Sequence, residues 1–65
     1  MKKYYVNLEK NVTLTDRPVK IEGYVVVELP ENNGTLRLRG KEYPDYKVAM
    51  ALAAGQVKIE EIETN

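Results

Sequence analysis

The stretch DYKVAMALAAG, residues 45–55, is the only segment of this sequence whose pattern predicts a helix. Pro44 suits the first turn of a helix, and Asp45 either caps that turn or complements its positive end. Gly55 can adopt the left-handed conformation in which many helices end. After Asp45, Lys47 is the only charged residue. The helix is therefore apolar on more than one side, and the rest of the chain has to cover the second side.

The apolar residues of this helix form two stripes. Tyr46, Met50 and Ala53 make one stripe, and Val48 and Leu52 make the other. One sheet can cover one stripe, so the alanines of the remaining side either serve only to favour helix or let another helix approach closely. We favour a second subunit as the cover, and we predict an oligomer or partner interface at Tyr46, Val48, Met50 and Leu52.

The length of the chain points in the same direction. With 65 residues it forms one domain, residues 1–65, and a chain of this size buries only about 60% of the surface that its unfolded form exposes. It contains no cysteine, so neither a disulfide nor a thiolate zinc site reinforces the core. A small domain without such reinforcement often gains stability by self-association.

The residue types exclude most catalytic chemistry. The sequence has no serine, cysteine or histidine, so every nucleophile–base pair built from them is impossible. Glu60, Glu61 and Glu63 lie together near the C-terminus, without the spacing of an organised acid–base pair or calcium site. We therefore expect no enzyme, no cofactor and no metal.

Four segments have the alternation or the branched residues of β-strands. They are KKYYVNLE (residues 2–9), VKIEGYVVVELP (residues 19–30), TLRLRGKEY (residues 35–43) and QVKIEEIE (residues 56–63). Val12 and Leu14 either extend the first strand or begin a short second one, before a turn at residues 16–18. Ile62 breaks the alternation of the last segment, which indicates either a bulge near Glu61 or the end of the strand.

The apolar rows of these strands predict which side chains are buried. The first segment places Tyr4, Val6 and Leu8 on one side, and the second places Val19, Ile21, Val25, Val27 and Leu29 on one side. Asn33-Gly34 is a strong hairpin signal because both residues tolerate positive φ. A turn there sets Leu29 opposite Leu38, Glu28 opposite Arg39, Val26 beside Lys41 and Tyr24 beside Tyr43.

The predicted order is β-β-β-α-β. It indicates an α+β fold, a small and mostly antiparallel β-sheet with one helix packed on one face. The alternative is a partly closed small β-barrel that carries the same helix.

A basic and aromatic face is the main alternative site. Arg37, Arg39 and Lys41 alternate onto one side of the predicted third strand, with Tyr24 and Tyr43 close by. Lys2, Lys3 and Tyr5 extend this face if the first strand is adjacent. Such a face would hold phosphates and stack bases, or would bind a small anion between subunits.

The overall charge argues against nucleic acid as the main partner. Ten basic and ten acidic residues cancel to zero, and Glu22 and Glu28 lie on the strand next to the basic face. The N-terminus lacks the apolar run of a secretory signal, and no segment approaches a membrane span, so we expect a cytoplasmic protein without a membrane partner. The leading hypothesis is a small non-enzymatic protein-interaction module that forms homo-oligomers and binds, or inhibits, another protein.

Overall fold

The structure, a computed structural model, describes residues 1–15 and 22–63. Its elements are β1 (Lys2–Asn7), β2 (Val12–Thr15), β3 (Val25–Leu29), β4 (Thr35–Leu38), β5 (Lys41–Pro44), α1 (Asp45–Ala53), a 3-10 turn (Ile59–Glu61) and β6 (Ile62–Glu63). The turn predicted at residues 16–18 lies outside the described residues, as do Val19 and Ile21 of the predicted apolar row. Among the residues described, no helix has the length and apolar character needed to cross a membrane.

The strands form two antiparallel sheets of three strands each. The N-terminal sheet has the order β2-β1-β3, and the C-terminal sheet has the order β5-β4-β6. The predicted α+β class and the antiparallel pairing are confirmed. The two sheets have no strand in common within the described residues, so the partly closed arrangement considered as the alternative is not formed there.

The first predicted strand is shorter than its alternation indicated. β1 ends at Asn7, whose side-chain carbonyl accepts the backbone N–H of Lys10 at 2.9 Å and so closes a tight turn. Tyr4 and Val6 are buried as predicted, but Leu8 falls in the turn and is exposed. Of the two alternatives for Val12 and Leu14, the structure has the second, because β2 is a separate strand that pairs back onto β1.

The predicted hairpin at Asn33-Gly34 is wrong. β3 pairs with β1, and residues 30–34 cross from the N-terminal to the C-terminal sheet. Gly34 does have positive φ (99°), but its N–H donates to the side-chain carbonyl of Asn32 at 2.9 Å within this crossing loop. The pairs predicted from that hairpin, Leu29–Leu38, Glu28–Arg39, Val26–Lys41 and Tyr24–Tyr43, are therefore not formed.

The hairpin of the C-terminal sheet forms at Arg39-Gly40 instead. These residues have φ values of 52° and 82°, and Leu38 opposes Lys41 across a two-residue loop. Two successive positive φ values are typical of the turn whose twist matches that of the flanking strands. The segment at residues 35–43, predicted as one strand, is therefore two strands that run in opposite directions.

The C-terminal strand is also shorter than predicted. Residues 59–61 form the 3-10 turn, and only residues 62–63 pair with β4. The break in alternation at Ile62 marks the point where the turn gives way to the strand. Ile62 lies opposite Leu38 and is buried, whereas Ile59 is exposed.

Helix α1 contacts strands of both sheets, and this arrangement makes one core. The buried apolar side chains come from both sheets and the helix: Tyr4, Val6, Val27, Leu29, Leu36, Leu38, Val48, Ala49 and Ile62. The helix ends as predicted. Gly55 has a φ of 75°, its N–H donates to Leu52 (3.1 Å), and the N–H of Gln56 donates to Ala51 (2.9 Å), which is the Schellman pattern.

Candidate interaction surface

The helix residues predicted as an interface are divided between the core and the surface. Val48 is only 1% exposed within the single chain, whereas Tyr46 is 49% exposed. Met50 and Leu52 are half-buried and pack against the core. Strands of both sheets contact the helix, whereas the prediction had one sheet against it. Contact with a partner remains a prediction for Tyr46 and for the exposed parts of Met50 and Leu52.

Ala49, which the two-stripe pattern left out, is the second buried residue of the helix. It is fully buried in the core cluster, between the two predicted stripes. A methyl side chain lets the helix backbone approach its neighbours closely. At this position the small side chain therefore packs within the chain, as alanine in a core commonly does.

A polar cluster joins the first turn of the helix to the N-terminal sheet and to the crossing loop. The buried Tyr4 hydroxyl donates to the Asp45 carboxylate at 2.6 Å and accepts the side-chain amide of Asn32 at 3.1 Å. The backbone N–H of Asp45 donates to Gly34 at 3.0 Å. Burial, followed by the hydrogen bond to Asp45, raises the pKa of Tyr4 to about 12. This cluster holds a neutral phenol between the strand, the loop and the helix.

The three basic residues of the predicted nucleic-acid face do not share one face. Arg37 lies opposite both Glu42 and Glu63, while Lys41 lies opposite Leu38, one residue out of phase with Arg37. Because side chains of a strand alternate between the two faces of a sheet, Arg37 and Lys41 are on opposite faces. The prediction of a common face is therefore wrong. The chain reverses direction at residues 39–40, and this turn places Arg37 and Lys41 on different strands and out of phase.

Arg39 is engaged in an ion pair. Its Nε and Nη2 atoms donate to Oε1 of Glu61 at 2.9 and 2.6 Å. The backbone N–H of Lys58 donates to Oε2 of the same carboxylate at 2.9 Å. The Lys58 N–H and then the Arg39 guanidinium hold the pKa of Glu61 below its ordinary value. This pair links the β4–β5 turn to the 3-10 turn.

The remaining residues of the predicted face are also dispersed. Lys3 is exposed opposite Glu28, whereas the Lys2 ammonium lies 5.8 Å from the ring centroid of the buried Tyr4. Tyr24 precedes β3 in the N-terminal sheet, and Tyr43 packs on the core from β5. Binding of nucleic acid or of a small anion by these residues remains a prediction, which a titration with short oligonucleotides at low salt tests.

One groove is formed by the crossing loop and the outer face of the C-terminal sheet. Its volume is about 630 Å³, and its charged lining residues are Glu31, Arg37, Glu42 and Glu63. Three carboxylates and one guanidinium give it a net negative charge, which disfavours anions. Within residues 1–15 and 22–63, no three acidic side chains are close enough together to hold a metal ion.

The outer face of the N-terminal sheet carries an apolar row that the sequence did not reveal. Tyr5 lies opposite Leu14 on one side and opposite Val26 on the other, so the three side chains cross all three strands. Val26 is 53% exposed, and Tyr5 and Leu14 are half-buried. The alternation placed Tyr5 and Val26 on polar sides of separate strands. Only the pairing of β1 with β3 makes them neighbours.

Comparison of the chain with models of protein families, with curated proteins and with solved structures finds no match. The chemistry and geometry of its own residues therefore carry the functional argument.

Proposed function

We propose that this protein is a small non-enzymatic interaction module that self-associates and binds another protein. The observation that carries this proposal is the apolar surface that a small fold leaves exposed. Among the described residues, the large hydrophobic side chains most exposed are Met1, Leu8, Val25, Val26, Tyr46 and Ile59. Single exposed hydrophobic residues are ordinary, but Val26 continues the row of Tyr5 and Leu14 on the outer face of the N-terminal sheet. Val25 is exposed beside it on the same outer strand, with its side chain on the other face.

The residue composition supports a binding role. The chain has no serine or cysteine nucleophile and no histidine to act as a general base near neutral pH. The Tyr4 hydroxyl is buried in the hydrogen-bonded cluster with Asp45 and Asn32. The proposal therefore assigns the function to surfaces rather than to a reaction centre.

Sedimentation velocity over a concentration series tests self-association. We expect the weight-average mass to rise from that of one chain towards that of two as concentration increases from low to high micromolar. A mass of one chain at every concentration would contradict self-association.

Binding of another protein is tested separately at the helix. Tyr46 is the most exposed large apolar residue of α1, so Tyr46→Lys should abolish capture of a protein that docks on this face. The wild-type and Tyr46→Lys chains are immobilised separately and exposed to the same protein mixture. Mass spectrometry then compares the proteins that each chain retains. A protein retained equally by both chains would not be bound through the helix.

A further inference from the structure

The outer edge of β3 differs from the other strand edges of this fold. β3 pairs with β1 on one side, and within the described residues no strand pairs with its other side. Such an edge presents unpaired backbone N–H and C=O groups, which another strand can satisfy. The fold therefore leaves hydrogen-bonding capacity where its valines are also exposed.

The outer strands of the C-terminal sheet, β5 and β6, have features that hinder the addition of another strand and that β3 lacks. β5 has two exposed charged residues, Lys41 and Glu42, and a proline that has no N–H to donate, while β6 has two residues within the part of the chain that the structure describes. β3 has the sequence VVVEL, with Val25 49% and Val26 53% exposed and Glu28 as its only charge. Short length, proline and charge are the usual means of preventing strand addition. β2, the other outer strand of the N-terminal sheet, has neither charge nor proline, but it has four residues, and residues 12–14 are half-buried. β3 is thus the edge whose apolar side chains are most exposed to a partner strand.

We propose that a second copy of this chain adds to β3 in antiparallel orientation, on a two-fold axis that passes beside Val26. Val26 then faces Val26 of the second copy, and Val25 faces Val27 of the second copy. The two sheets join into one sheet of six strands. This inference rests on the proposed self-association and identifies the surface that mediates it.

The register follows from charge and from the apolar row. A two-fold axis at Glu28 would set two carboxylates opposite each other, and an axis at Val27 would set each Val26 against a Glu28. With the axis at Val26, the row of Leu14, Tyr5 and Val26 continues into the same row of the second copy. The β3 strand of a second copy pairs with the free backbone groups of β3 and also covers the exposed apolar row. A second copy is therefore the preferred partner for this edge.

Two lysine variants test the surface. Val26→Lys places two like charges opposite each other on the axis and should weaken association about tenfold or more. Ile59→Lys is the matched control, because it adds the same charge at a similarly exposed apolar side chain in the 3-10 turn. We expect it to leave association unchanged. Circular dichroism checks that both variants are folded.

Two cysteine variants test the register, and the absence of native cysteine makes their cross-links unambiguous. Directly opposed residues of antiparallel strands have Cα atoms about 4.5 to 5.5 Å apart, which a disulfide can bridge. Val26→Cys should therefore give a covalent dimer under mild oxidation. In the same register, two Val25→Cys residues lie roughly 8 Å apart, beyond disulfide reach, and should cross-link several-fold less.

The outcomes separate this inference from the proposed function. A self-associating wild-type chain with preferential cross-linking at residue 26 and dissociation by Val26→Lys supports both. A self-associating chain in which both cysteines cross-link equally, or in which Ile59→Lys weakens association as strongly as Val26→Lys, overturns the β3 surface and leaves self-association standing. A chain that is monomeric up to about 1 mM overturns both.

Discussion

At the scale of single residues, Tyr4 contributes to this fold in two ways. Its ring is fully buried in the core of the N-terminal sheet, and its hydroxyl donates to Asp45 at the start of the helix. Asn32, from the loop that crosses between the sheets, donates to the same hydroxyl and to the carbonyl of Pro30. One side chain therefore connects a strand, the crossing loop and the helix. Because the Tyr4 hydroxyl is buried, its hydrogen bonds with Asp45 and Asn32 offset the free-energy cost of removing it from water.

The raised pKa of Tyr4 predicts a loss of stability at high pH. The native chain holds the phenol proton up to about pH 12, whereas the unfolded chain releases it near the ordinary value of 10.0. The contribution of this group is therefore fully present below pH 10 and is lost as pH rises through about 12, since the native state then binds more protons than the unfolded state. Urea unfolding at a series of pH values measures the effect.

Two phenylalanine variants control this experiment. Tyr4→Phe should lower the free energy of unfolding by roughly 1.5 to 3 kcal/mol at neutral pH, the range for a hydrogen bond to a charged group, and should flatten the decline between pH 10 and 12. Tyr46→Phe removes a hydroxyl from an exposed side chain and should change neither quantity. An unchanged high-pH decline in Tyr4→Phe would show that other groups cause it.

At the scale of elements, the turn at Arg39-Gly40 determines the shape of the C-terminal sheet. Both residues have positive φ, and Arg39 is held there by its ion pair with Glu61. Glu63 adds a second contact, since its carboxylate accepts the N–H of Gly40 at 2.8 Å. Residues from the C-terminal segment therefore hold both residues of the turn. Arg rarely adopts positive φ, and a turn of this type favours Asn. The contacts from Glu61 and Glu63 stabilise Arg39-Gly40 in this conformation.

Substitutions at Gly40 test the turn geometry. A Cβ at this position would meet open space, so the cost of Gly40→Ala comes from the positive φ alone. We expect Gly40→Ala to lower the free energy of unfolding by about 1 to 2 kcal/mol. Gly40→Asn, which tolerates positive φ, should cost clearly less. Equal losses in urea unfolding for the two variants would contradict this account.

At the scale of the whole molecule, two sheets and one helix share a single core. Leu29 belongs to the N-terminal sheet and Leu36 to the C-terminal sheet, and both are in the same buried cluster as Val48 of the helix. Neither sheet buries its inner face without the helix. The two halves of the chain should therefore fold and unfold together.

A matched pair of core variants tests this cooperativity. Leu29→Ala and Leu36→Ala remove the same atoms from the two sheets, and each should cost about 2 to 5 kcal/mol. We expect each variant to show one transition, shifted equally when followed by far-UV circular dichroism and by tyrosine fluorescence. A transition in two steps, with each variant shifting only one of them, would show that the sheets unfold independently.

The local features of this fold were predictable from the sequence. The helix and its end at Gly55, the strands around Tyr4 and Val27, and the break of alternation at Ile62 all follow from patterns a few residues long. The exposed apolar surface was predicted only in part. Tyr46 is exposed, but Val48 is in the core, and the row of Tyr5, Leu14 and Val26 was missed. Contact of any of these residues with a partner stays a prediction.

Strand pairing could not be predicted from the same patterns. Asn33-Gly34 and Arg39-Gly40 are both compatible with a hairpin turn, and the choice between them depended on β1, whose residues pair with β3 residues 19 to 27 positions later in the chain. Residue patterns report which side of a strand is apolar, because alternation is a local property. They do not report which strand lies beside it. Contacts between distant segments determine the strand pairing. The pairing in turn determines that two sheets rather than one contact the helix, and which valines remain exposed.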